Sequence, residues 1–125
     1  MPAAREDYLI RLVQQIAAVL RRLRERLTGA AAAGQAARPE EIAAIEREAE
    51  DAIRMLLGPQ AALLERIDPA SAVALVGDAD RVALWVALLR LRADVAQARG
   101  DVPRAADRGA RATALERVAG SRRPG

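Results

Sequence analysis

The segment "RVALWVALLRLRADVAQARG", residues 81–100, decides how the chain folds. Val82, Trp85, Val86, Leu89, Ala93 and Ala96 recur at helical spacing and form one apolar stripe. Leu84, Leu88, Leu91 and Val95 form a second stripe on another side of the same helix. A helix that is apolar on two sides has neighbours on both, so the segment from about 79 to 99 reads as a central helix around which the others pack. Gly100 stops it, Asp101 caps the next helix, and "VPRAADRGARATALERVAG" continues as a last helix to about residue 119. The end, "SRRPG", reads as a loose tail over 120–125.

Upstream of the central helix, "GDAD" (77–80) is a turn with a cap, and Asp68 with Pro69 opens the short helical piece "DPASAVALV". "PQAALLERI" is a further short piece before it. Pro39, Glu40 and Glu41 start a longer helix whose seam is Ile42, Ile45, Ala49, Ala52, Ile53 and Leu56, ended by Gly58 and Pro59. It carries six acids against Arg47 and Arg54, a net charge of 2 − 6 = −4. At the start of the chain, Leu9, Leu12, Val13, Ile16, Leu20, Leu23 and Leu27 hold one helical face for about five turns. Glu6 and Asp7 sit near its beginning and Arg24 and Arg26 near its end, matching the helix dipole. The stretch 28–38, with Gly29 and Gly34 and no large side chain, reads as a mobile linker, with 29–38 its least ordered part. No segment alternates as a strand does. The expectation is an all-α fold: a small helical bundle over 5–119, forming a single domain.

Composition narrows the chemistry. All 20 basic residues are Arg, and Lys, His, Cys, Asn and Phe are absent from the 125 residues. Without Cys there is no disulfide, thiolate or cysteine metal site, and without His or Lys no base activates Ser71, Ser121, Thr28 or Thr113. Paired carboxylates remain, at Glu46 with Glu50 and at Asp78 with Asp80, but a solvated helix face and a capped turn account for them. No Gly-rich phosphate loop follows a strand. The sequence therefore implies no enzyme, no catalytic residue, no cofactor and no metal. "MPAAREDYLIRLVQQ" lacks the apolar core of a signal peptide, and the most apolar run, "VALWVALL" (82–89), falls short of the roughly 20 residues a bilayer needs. A cytoplasmic location is the expectation.

Two resemblances add to this reading. "REDYLIRLVQQI" (Arg5–Ile16) resembles the opening of an uncharacterised family of small bacterial helical proteins that begin R-E-D-Y-[IL]-[LI]-R and end in a helical hairpin. The family has no established activity and so supplies no catalytic residue. The C-terminal part resembles one tetratricopeptide-like antiparallel hairpin, with Ala93 and Ala96, the turn at Gly100 and Asp101, then Ala105 and Ala112 where that repeat places small residues. It departs from the pattern at Arg92, where Leu is usual, and at Gly109, where a bulky aromatic is usual. One unit is visible, whereas solenoids need about three.

The first helix raises the functional question. Arg11, Arg22 and Arg26 lie opposite its apolar seam, Arg21 lies beside them and Arg24 flanks the core. Asp7–Arg11 and Arg21–Glu25 are spaced to pair, and Arg24 is placed to meet Glu46 or Glu50 on the acidic helix. With a net charge of only +3, a solvated, partly self-paired face is the leading reading. Trp85 belongs to the core seam, with its indole N–H near an edge, and Tyr8 lies on the polar side. The expected function is protein–protein contact, as a scaffold or by self-association. Its candidate surface is Tyr8, Arg11, Arg22, Arg26, Leu84 and Leu88. The alternative is a peripheral binder of membrane surface or nucleic acid, using the basic face.

Overall fold

The computed structural model describes residues 2–32 and 39–121. Six α-helices follow one another: α1 (Pro2–Ala32), α2 (Pro39–Leu57), α3 (Ala61–Arg66), α4 (Pro69–Val76), α5 (Ala79–Ala98) and α6 (Val102–Ser121). A 3-10 turn, Gly58–Gln60, joins α2 to α3. No strand occurs among the described residues, so the all-α reading holds.

The two stripes of α5 explain the arrangement. Leu91 and Val95 pack with Leu23 of α1 and Ile42, Ile45 and Ala49 of α2. Trp85, Val86 and Leu89 belong to the larger cluster with Leu12 and Ile16 of α1, Ile53 and Leu56 of α2, Val73 and Val76 of α4, and Ala112 and Leu115 of α6. α5 thus lies against α6, α2 and α1 together, while α4 rests on α6. Leu88 is fully buried in the larger cluster, which removes it from the candidate partner surface. Leu84 is half-buried against the same core and offers only an edge. The Trp85 indole N–H does not reach an edge either. It is enclosed and has no hydrogen-bond partner.

Helix ends are set by side-chain caps read directly from sequence. Asp78 Oδ1 accepts from the Arg81 amide at 2.9 Å, and Asp101 Oδ1 accepts from the Arg104 amide at 3.2 Å. Between α5 and α6 the Asp101 amide donates to the Ala96 carbonyl at 2.9 Å and the Gly100 amide to Gln97 at 3.0 Å. That Schellman closure needs a left-handed residue, and Gly100 supplies φ +78° without a Cβ penalty. Ala96 and Ala112 are buried in the α5–α6 hairpin, and Ala93 and Ala105 are half-buried.

The ends of two helices differ from expectation. α1 runs on through Thr28 to Ala32, where a linker from 28 was expected, because an alanine run has the highest helix propensity and outweighs one Gly29. α6 includes Gly120 and Ser121, where a tail from 120 was expected, and the Ser121 hydroxyl donates to the Val118 carbonyl at 2.9 Å. The expectations of a mobile linker over 33–38 and a loose tail over 122–125 lie outside the described residues.

Asp68 gives a pH-dependent prediction. Its carboxylate accepts from the Ser71 amide at 3.0 Å, and hydrogen bonds from the Ser71 amide and hydroxyl hold its pKa below the ordinary 3.8. A carboxylate whose folded pKa is depressed stabilises the fold above its unfolded pKa and loses that contribution as pH falls through the folded value. Asp68→Asn keeps an acceptor but does not titrate. Thermal melts from neutral pH to below about 3.8 should therefore fall more steeply for the wild type than for Asp68→Asn. Parallel curves would remove the cap's titration from the account.

Candidate interaction surface

The polar chemistry inside the bundle is spent on holding helices together. Glu46 of α2 is buried, and both Arg92 of α5 and Arg108 of α6 bind it, with Nη2 of Arg92 at 3.2 Å and Nη2 of Arg108 at 2.9 Å from its Oε1. Arg92 also reaches Glu50 at 3.1 Å and Glu65 of α3 at 3.9 Å. Arg108 donates besides to the Arg92 carbonyl at 3.0 Å. The cluster ties four helices at one point. Burial, then the neighbouring Arg92, lowers the Arg108 pKa below the ordinary arginine value, and Glu46 opposes that shift. The pair Glu46 and Glu50 is therefore not the solvated acidic face expected from sequence, nor the partner of Arg24.

Other arginines hold backbone carbonyls. Arg81 donates Nε and Nη2 to the Leu56 carbonyl at 3.0 and 2.7 Å, satisfying a carbonyl where α2 gives way to the 3-10 turn. Arg111 donates to the Leu64 carbonyl at 2.6 Å and lies over the Trp85 ring at 5.8 Å. No group of three carboxylates among the described residues converges as metal ligands would. No described helix is long and apolar enough to cross a membrane.

The surface of α1 is what remains outside this network. Tyr8 is 62% exposed, and Arg11 and Arg22 are exposed. Arg26 is half-buried and pairs with Glu48 of α2. Arg24 reaches the Ala87 carbonyl at 3.4 Å. Neither Asp7–Arg11 nor Arg21–Glu25 forms an ion pair among the described residues, since each side chain has full solvation available on an open helix face. The candidate residues do not form one site: Tyr8, Arg11, Arg22 and Arg26 share α1, whereas Leu84 and Leu88 pack into the core.

The apolar edge of α1 is not apparent from the helix's seam alone. Among the described residues of this helix, Leu12, Ile16 and Leu23 are buried; Leu9, Val13, Leu20 and Leu27 are half-buried, and Ile10 is 55% exposed. The bundle covers one side of an apolar arc that is wider than α2 and α5 together can bury. Two depressions lie along the uncovered side. One is lined by Glu6, Leu9, Ile10 and Val13 with Asp78 and Asp80 at the start of α5. The other is lined by Ala17, Leu20, Arg21, Arg24 and Glu25, with Thr28 and Gly29 at its end. The signal was present in sequence as Ile10, three residues before Val13 and outside the seam that contains Leu12 and Ile16.

Arg22→Glu tests whether the basic face matters to the fold. Arg22 is exposed and forms no ion pair among the described residues, so the reversal should move stability by less than about 0.5 kcal/mol. A larger loss in a urea titration would mean that the face has a structural partner.

Compared with protein-family models, with curated proteins and with solved structures, the chain matches none.

Proposed function

We propose that the protein has no catalytic chemistry of its own and acts by contact with protein, as a small helical interaction or scaffold module working in the cytoplasm. The observation that carries this reading is the uncovered apolar edge of α1, where half-buried Val13 and Leu20 flank a path that includes exposed Ile10. Apolar surface of this kind, rimmed by charge, marks interaction sites. The internal arginines are occupied with carboxylates and carbonyls, which leaves them to architecture. The resemblance of α5 and α6 to a tetratricopeptide hairpin, and of Arg5–Ile16 to a bacterial helical family, fits the same reading. Arg92, at the position where the repeat carries Leu, serves the ion cluster instead.

A second reading has its own observation. Arg11, Arg21 and Arg22 are exposed with no ion pair among the described residues, as a binder of anionic membrane or nucleic acid would require. Glu6, Asp7 and Glu25 interrupt that charge, so protein contact is preferred. Salt dependence tests the choice. A complex rebuilt from the purified chain and a purified protein partner should keep its affinity between about 50 and 200 mM salt, as an apolar contact does. Tight binding to anionic vesicles or duplex DNA that collapses over that range, and is abolished by Arg22→Glu, would overturn the reading.

A further inference from the structure

We propose that α1 packs antiparallel against α1 of a second copy of this chain, across a twofold axis near residue 15. The inference rests on the protein-contact reading above and names the partner. Along the partly covered edge, where Leu20 also touches the core and Arg24 reaches the Ala87 carbonyl, Glu6, Ile10, Val13, Ala17, Leu20 and Arg24 are spaced by four, three, four, three and four residues. That alternation is a heptad seam, distinct from the seam through Leu12, Ile16 and Leu23 that the bundle buries. The seam is also its own complement. In an antiparallel pair, residue 6 faces 24, residue 10 faces 20 and residue 13 faces 17, each pair summing to 30. Ile10 then meets Leu20 of the second copy, Val13 meets Ala17, and Glu6 meets Arg24 at both ends. An isologous interface requires this reciprocity.

Charge fixes the direction. A parallel pair would stack Glu6 on Glu6 and Arg24 on Arg24, whereas the antiparallel pair sets opposite charges together at each end. The rim extends the match. Asp78 and Asp80 line the depression beside Glu6, while Arg21 and Glu25 line the one beside Arg24, which keeps a net positive charge, so the acidic end of one copy receives the net basic end of the other. Shape agrees as well. The hollow between Ala17, Leu20, Arg21 and Arg24 lies where Ile10 of the second copy arrives, and the hollow between Glu6, Ile10 and Val13 lies where its Leu20 arrives. The contact spans five turns, about 27 Å, so the dimer forms in a concentration-dependent equilibrium.

Sedimentation equilibrium on the full chain tests this. The wild type should approach twice its 13.4 kDa mass as concentration rises. Glu6→Arg and Arg24→Glu should each weaken self-association on the order of tenfold or more, because each places like charges opposite one another at both ends. The double exchange, Glu6→Arg with Arg24→Glu, should restore it. Ile10→Glu should also give a monomer, and since Ile10 is 55% exposed, its circular dichroism should stay that of the folded chain. A dimer indifferent to both single reversals would overturn the proposal, since a parallel pair or another surface would then hold it. A chain that stays monomeric at every concentration, yet binds a host protein, overturns the dimer and leaves the proposed function standing.

Discussion

Glu46→Gln is expected to lower stability by on the order of 3 kcal/mol, the low end for breaking a buried ion pair because the Glu46 side chain keeps 11% exposure. The substitution preserves shape and removes charge, so the loss does not come from a cavity. Arg92 would still have Glu50 at 3.1 Å. Arg108 would lose its carboxylate: it keeps the neutral Gln amide oxygen and the Arg92 carbonyl as acceptors, while Glu46 is the group that opposes the depression of its pKa by burial. For a chain of this length a loss of that size lowers Tm by on the order of 10 °C. Arg108→Met in the Glu46→Gln background should recover much of the loss, because an apolar side chain of similar length leaves no charge stranded. A double-mutant cycle read from chemical denaturation gives the coupling, and additivity of the two changes would sink the account.

This cluster shows where the sequence stops being legible. Caps at Asp68, Asp78 and Asp101 are local, since each carboxylate binds an amide three residues on, and all three were readable. The two stripes of α5 were readable for the same reason: periodicity within one helix reveals what it buries. Glu46, by contrast, owes its role to Arg92 and Arg108, residues 46 and 62 positions away. On its own helix it is one acid among six, and nothing local separates it from the exposed Glu48. A trace existed at the other end, because Arg92 interrupts a helix that is apolar on two sides and a charge there needs a partner. The α1 surface was half legible. Its apolar arc is visible in the sequence, but how much of that arc the bundle covers depends on the widths of α2 and α5, which leaves Ile10 unread. Charge alone sets Arg24 opposite Glu46 or Glu50, whereas the arginines of α5 and α6 occupy those acids.

Trp85→Ala should cost about 3–5 kcal/mol, a large part of the roughly 5–15 kcal/mol that holds a domain of this size. Trp85 is fully buried at the contact of α5 with α6 and carries the largest side chain of the core. Its ring is also the platform under Arg111, whose guanidinium lies 5.8 Å from the ring centre while donating to the Leu64 carbonyl. Truncation therefore opens a cavity and withdraws the support of a group that satisfies the end of α3. Trp85→Phe separates these effects. Phenylalanine keeps an aromatic face for Arg111 and removes an indole N–H that is enclosed without a partner. Leaving such a donor unsatisfied costs on the order of 1–3 kcal/mol, which offsets much of the volume lost in the exchange. The expected loss for Trp85→Phe is then below about 1.5 kcal/mol, against at least twice that for alanine. Denaturation followed by circular dichroism measures both, since the only tryptophan is gone from each variant. Equal losses for Phe and Ala would mean that the indole N–H does have a partner and that the hydrogen bond, not the ring, holds this part of the core.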